Sequence, residues 1–181
     1  VATFSLSRAY RYTLWREWIG GDGYCQFICL NPSTADEVQD DPTVRRCIAY
    51  AKAWGFGAFC MTNIFAFRAT DPRYMKAQAD PVGADNDAHI KRVAAGAGLI
   101  VAGWGEHGAH RGRAAEMVKM IPGLHSLRIT RNGQPCHPLY LPKYLKPVPF
   151  EPQAPACPRC GYEMETDDAY GCPNCLGEGL D

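Results

Sequence analysis

Apolar and polar positions along the chain switch between short strand-like runs and longer stretches with helical spacing. Residues 10–18 ("YRYTLWREW") and 25–30 ("CQFICL") read as strands, the second of them buried. Over 42–55, Val44, Ile48, Ala51 and Trp54 fall near helical spacing, with Pro42 suited to a first turn and Gly55 to a stop. Residues 58–67 ("AFCMTNIFAF") predict another buried strand. A second helix is expected through 86–98, capped by Asp85 or Asn86. An apolar strand at 99–105 ("LIVAGWG"), a helix at 110–120 and a strand at 124–130 complete the pattern. Alternating strands and helices predict an α/β three-layer sandwich with a mainly parallel central sheet. Ligands of such sheets sit beyond the carboxyl ends of the strands.

The pattern breaks after residue 140. Prolines at 142, 147, 149, 152 and 155 favour an extended connector. The expected division is an α/β domain over 1–146, a Pro-rich linker over 147–156 and a small unit over 157–181. That last unit holds Cys157, Cys160, Cys172 and Cys175 as two CxxC pairs separated by 11 residues. Four thiolates satisfy tetrahedral zinc, and a tail this short has too little core to fold alone. A redox CxxC needs a thioredoxin-like βαβ setting, which the tail lacks. A four-cysteine ribbon with structural zinc is therefore expected, with no cofactor for catalysis.

Of the 181 residues, 46% are hydrophobic and 21% charged. No apolar run approaches the roughly 20 residues that span a bilayer, and no leader precedes the first strand, so no membrane partner and a cytoplasmic setting are expected. The formal net charge is zero, yet residues 1–150 carry 18 Lys/Arg against 12 Asp/Glu, while 151–181 carry one Arg against seven acids. A basic body with an acidic tail is compatible with a polyanion, although mixed solvated surface accounts for it as well. Cys25, Cys29, Cys47, Cys60 and Cys136 sit singly and read as small core residues of a reduced protein.

Four polar clusters fall at the predicted strand ends: "LNPSTAD" (30–36), "TNIFAFRATDP" (62–72), "WGEHG" (104–108) and "HPLYLP" (137–142). Their convergence on one sheet edge predicts a shared pocket. Other charged groups have simpler readings. Asp40 and Asp41 before Pro42 suit a helix start better than a magnesium site. Arg45 and Arg46 face solvent or a phosphate. Glu106, His107 and His110 fall short of a metal site, and Arg111 and Arg113 suit a loop-to-helix anion site.

The combination of "YRYTLWREW", "LNPSTAD", "DDPTVRRC", "DPVGADND", "WGEHG" and "HPLYLPKYLKP" resembles an uncharacterised bacterial and phage family, domain of unknown function 1643, over nearly all of residues 3–147. The clusters are also similar, more remotely, to the uracil-DNA glycosylase superfamily. That resemblance makes Asn31, Pro32 and Ser33 the water-positioning wall. It makes Asn63 the base reader, with Arg68 beside it, and Trp104 part of the pocket. His137 becomes the donor to the departing base, and Tyr140 or Leu141 the wedge that holds the gap in the stack. Breaking an N-glycosidic bond needs a held water and a donor where charge grows on the base, and Asn63 offers both donor and acceptor to a pyrimidine edge.

The sequence departs from that superfamily at two points. Asn31 stands where the commonest branch has a water-activating Asp, and Leu139 where a Ser follows His-Pro. Asp36, Asp40 or Asp41 compensates for the first if the loop folds back. The resemblance implies metal-free hydrolysis of an N-glycosidic bond on a flipped, natural or modified, base in DNA or a nucleotide. Two alternatives use the same residues: a noncatalytic module that binds modified bases or nucleic acid, and a small-molecule nucleotide hydrolase. A positive pocket mouth with an exposed wedge favours duplex DNA, and a closed pocket favours the binding module.

Metal analysis of freshly purified, reduced protein should return about one zinc per chain, as a four-thiolate site requires. Zinc-free protein would sink the ribbon.

Overall fold

"YCQFIC" forms the strand around which the sheet is built, and its unbroken apolar character follows from burial on both faces. The computed structural model describes residues 1–33 and 38–151. The strands are β1 (Ala2–Phe4), β2 (Arg11–Glu17), β3 (Tyr24–Cys29), β4 (Ala58–Asn63), β5 (Leu99–Gly103), β6 (Leu124–Ser126) and β7 (Val148–Pro149). They form one mixed sheet in the order β1-β2-β4-β3-β5-β6-β7. The helices are α1 (Pro42–Ala53), α2 (Pro72–Lys76), α3 (Asn86–Ala94) and α4 (Arg113–Met120), with 3-10 turns at Glu106–Gly112 and Pro138–Tyr140. Among the described residues no helix is long and apolar enough to cross a membrane.

The expectation of a mainly parallel sheet holds for its centre. Strands β4, β3, β5 and β6 run parallel, while β1 pairs with β2, β2 with β4 and β7 with β6 antiparallel. The β1–β2 connection is too short for the crossover a parallel pair needs. Alternate residues of β3 feed two cores. Cys25, Phe27 and Cys29 pack with Val44, Cys47, Tyr50 and Ala51 of α1. Ile28 packs on the opposite face with Ile90 of α3 and Met117 of α4. Helices thus cover both faces, α1 on one and α3 and α4 on the other.

Helix α1 begins as its sequence dictates. Asp41 is the N-cap, its carboxylate accepting from the Val44 N–H at 2.8 Å, and Pro42 needs no donor at the first turn. It ends on Gly55, whose φ of +89° lets Gly55 and Phe56 donate back to the Lys52 and Ala51 carbonyls. The buried stripe is rotated from the expected one: Cys47 and Tyr50 face the core, while Ile48 and Trp54 are only partly covered.

Three other elements differ from expectation. The strand at 58–67 stops at Asn63, because Asn86 turns inward and its amide donates to the Asn63 and Ile64 carbonyls at 2.9 and 3.3 Å. Neither Asp85 nor Asn86 therefore caps α3 through its side chain. Helix α4 begins at Arg113 rather than His110, since His110 and Arg111 are non-helical. Arg111 donates to the Gln78 and Ala79 carbonyls. Arg113, only 4% exposed, donates to the Ile64 carbonyl at 2.9 Å and pairs with Asp87 and Glu116. Both cations are committed to protein groups, which replaces the anion-site reading. The Pro-rich run also joins the body. Val148 and Pro149 form edge strand β7, where a proline is tolerated, and the Phe150 ring packs edge-on against Trp104. The chain divides after Phe150 into two units. Cys157, Cys160, Cys172 and Cys175 lie outside the described residues.

Replacing Arg113 by Met leaves the buried Ile64 carbonyl without its donor, and should cost about 2 kcal/mol in urea unfolding. A loss below about 0.5 kcal/mol, the level of an ordinary surface change, would show the bridge to be dispensable.

Candidate functional site

The carboxyl ends of β3, β4 and β5 lie side by side, and the chain leaves them through three loops that part. The space between holds a cleft of about 450 Å³, within the range of small-molecule sites. Residues from all four expected clusters line it: Asn31, Ser33, Asn63, Trp104, His137 and Tyr140. Three of the expected residues do not. Pro32 only turns its carbonyl to the Asn31 amide and the Ala69 N–H. Arg68 lies in a neighbouring groove. Leu141 is 7% exposed in the core against α1, so no wedge can come from it; Tyr140, 83% exposed, is the residue of that loop free to protrude.

Asn63 is the last residue of β4, level with Cys29 of β3. Its side chain is buried, at 1% exposure, yet neither amide atom has a hydrogen-bond partner among the described residues. Such an omission costs about 1–3 kcal/mol for each unpaired group. The backbone beneath is fully engaged, with the Asn86 clamp on its carbonyl. A held residue with an idle amide at the floor of a cleft is arranged for a ligand.

Asn31 is oriented in the opposite manner. Its Nδ2 donates to the Ala69 and Pro32 carbonyls at 2.7 and 3.1 Å. The flipped amide would set its oxygen against two carbonyl oxygens, so Oδ1 is fixed as an acceptor. His137 is held by the Pro138 ring, which packs where a Cβ on Gly103 would fall 2.8 Å from Cδ. Its Nδ1 accepts from the Leu139 N–H at 3.4 Å, leaving Nε2 to carry the proton of the neutral ring. Burial lowers the His137 pKa below the ordinary value, with Asp41 opposing. At neutral pH the ring is an uncharged donor. The Trp104 indole is fixed by its N–H on Gln134 Oε1 at 3.0 Å.

Two lining residues carry charge that sequence reasoning did not place here. Asp41 reaches the cleft because α1 starts at its edge. One oxygen caps the helix, and its charge acts on both Arg11 and His137. Of the three acids expected to compensate for Asn31, Asp41 lines the cleft, Asp40 pairs with Arg16 at 2.7 Å, and Asp36 lies outside the described residues. Arg11 is 1% exposed, its pKa pushed down to about 10 by burial while Asp41 opposes the shift. Its one sequence signal was a cation inside a strand otherwise bound for the interior.

The remaining groups are quieter. Glu106, at the rim, accepts from Asn132 at 3.0 Å, and His107 lies 3.2 Å from Lys76. Among the described residues no group of three His, Cys, Asp or Glu is placed to hold a metal ion. Cys25, Cys29, Cys47 and Cys60 are buried and Cys136 half-buried, as expected of core residues. Burial pushes the Cys25 thiol up to about 12 and raises Cys47 and Cys60 as well.

Asn63→Leu tests whether the amide serves the fold or a ligand. Removing two unpaired polar groups at near-constant shape should leave stability unchanged or raise it by about 1 kcal/mol. A fall of that size in thermal or urea unfolding would show the amide to be structural.

A family model described as protein of unknown function (DUF1643) matches residues 11–139, which include every residue of this cleft apart from Tyr140. No curated protein and no solved structure matches the chain. The chain belongs to the DUF1643 family.

Proposed function

We propose that the protein is a base-processing enzyme that hydrolyses the N-glycosidic bond of a base turned out of DNA into the cleft. The observation that carries this reading is the buried, unpartnered Asn63 amide, which offers one donor and one acceptor at the depth a base edge would reach. The surrounding groups suit the charges of that reaction. Water held on Asn31 Oδ1 attacks the sugar carbon, and the carbon–nitrogen bond breaks with its electron pair going to the base. Asp41 takes the proton of the water and steadies the cationic sugar, which Asn31 alone cannot do. The Nε2–H of His137 hydrogen-bonds the base oxygen as negative charge grows there, and a neutral imidazole suffices for that role. Arg11 beside Asp41 favours the ionised carboxylate.

DNA is favoured over a free nucleotide by the cleft mouth. Tyr140 stands exposed on the loop that carries His137, and Lys143, Tyr144 and Lys146 follow it within six residues. A planar side chain there fills the gap left by a flipped base. The cysteines in the described residues are free thiols, which fits a reducing, cytoplasmic setting. The four tail cysteines are proposed to hold structural zinc apart from this chemistry.

The test is incubation with oligonucleotides bearing uracil, damaged and hypermodified bases, scored for abasic sites by alkaline cleavage. Asn31→Ala, Asp41→Asn and His137→Ala should each lower excision about a hundred-fold or more while circular dichroism stays unchanged. Asn31→Ala and His137→Ala variants as active as wild type would overturn the assignment.

A further inference from the structure

We infer that the groove beside the cleft, between Arg8 and Arg68, seats a phosphate of the strand whose base enters the cleft; this rests on the base-processing reading. The groove has a volume of about 360 Å³ and shares Ser33, Ala69 and Thr70 with the cleft, so the rim of one is the wall of the other. A nucleotide that delivers its base to Asn63 must lead its backbone across that rim. The hydroxyl side chains of Ser33 and Thr70 stand on the crossing, and the two arginines lie beyond it.

The arginines come from separate parts of the chain and are drawn together by backbone geometry. Arg8 sits in the β1–β2 turn at φ +57°, its N–H donating to Ser5 at 2.9 Å. Arg68 follows the end of β4, and its N–H donates to the Ala9 carbonyl at 2.9 Å. Their guanidinium carbons stand 4.0 and 5.1 Å from the centre of the Phe4 ring. One ring thus orients two cations, and Arg68 Nη1 reaches the Arg8 carbonyl at 3.3 Å. Arg68 Nε is buried without a hydrogen-bond partner among the described residues. Fork-shaped donors fixed on an aromatic face, with hydroxyls alongside, are the groups that bind phosphate oxygens and set the register of a strand.

The experiment measures anisotropy of a fluorescein-labelled single-stranded oligonucleotide with a central uracil, across a salt series. Wild type is compared with Arg8→Gln, Arg68→Gln, the double variant, the double Lys variant and Asn63→Ala. Releasing one phosphate contact should lower the slope of log affinity against log salt by about 0.7. The double Gln variant should show that loss and bind several-fold more weakly at low salt, while the double Lys variant keeps the slope. Asn63→Ala should leave the slope intact. Matching melting temperatures separate these effects from misfolding, and Arg8, at the surface, can be changed alone. An unchanged slope in the double Gln variant overturns the groove whether or not bases are excised. A lowered slope without excision of any base supports the groove and removes the proposed reaction. Wild type that binds no oligonucleotide at any salt overturns both.

Discussion

Strand β4 ends inside the protein, and the donors that receive its last carbonyls hold the rest in place. An interior strand end leaves C=O groups with no ladder and no water, and such groups must be paired. The Asn63 carbonyl takes the Asn86 amide, and the Ile64 carbonyl takes both that amide and the Arg113 guanidinium. Asn86 opens α3 and Arg113 opens α4, so one pair of peptide groups docks two helices on the sheet. The same clamp fixes the backbone from which the Asn63 side chain reaches the cleft. Fold and site depend here on one set of hydrogen bonds.

That makes the polar interior informative by contrast. Gln26 and Asn86 each direct their amide nitrogen to partners, as does Asn31. Asn63 lies among them at equal depth and directs neither atom to anything described. A chain able to pair its other amides, and leaving this one idle beside a cleft, has placed it against something not yet bound. Asn31 and Asp41 then divide a task. The amide oxygen aims water but cannot take its proton, whereas the carboxylate can, and Arg11 supports its charge.

Much of this was legible in the sequence because local chemistry and tertiary structure agreed. Pro42, Asp41 and Gly55 bound α1 as their chemistry requires, and the buried strands β3 and β5 announced themselves as apolar runs. The four clusters met because parallel strands end on one side. What failed was anything decided by which way a side chain turned. Arg113 is a helix-start cation in sequence, and burial beside Ile64 makes it a bridge. Leu141 and Tyr140 are equally apolar neighbours, yet packing against α1 takes one and leaves the other exposed. Asp41 was read as a helix cap, which it is; that the same cap stands at the cleft depends on where α1 begins relative to β3, and local sequence carries no such distance. The prolines at 147 and 149 forbid a central strand but allow an edge one.

Helix α1 carries a further consequence for the site. Arg46, Tyr50 and Trp54, four residues apart along one face, donate to the carbonyls of Leu141, Pro142 and Leu145. Those carbonyls belong to the segment that continues from His137 and Tyr140. Asp41 stands at the N-terminus of the same helix. The carboxylate and the imidazole, more than ninety residues apart in sequence, are thus mounted on one rigid element and move together if it shifts. Asn31 and Asn63 are fixed instead by β3 and β4. The cleft therefore has two mechanical halves, one bound to the sheet that receives the base and one bound to α1 that supplies the charges. Their separation is set by the packing of Val44, Cys47 and Ala51 against Cys25, Phe27 and Cys29. A well-packed core resists changes of even one methylene, so the core under α1 governs the spacing of the reacting groups without touching them.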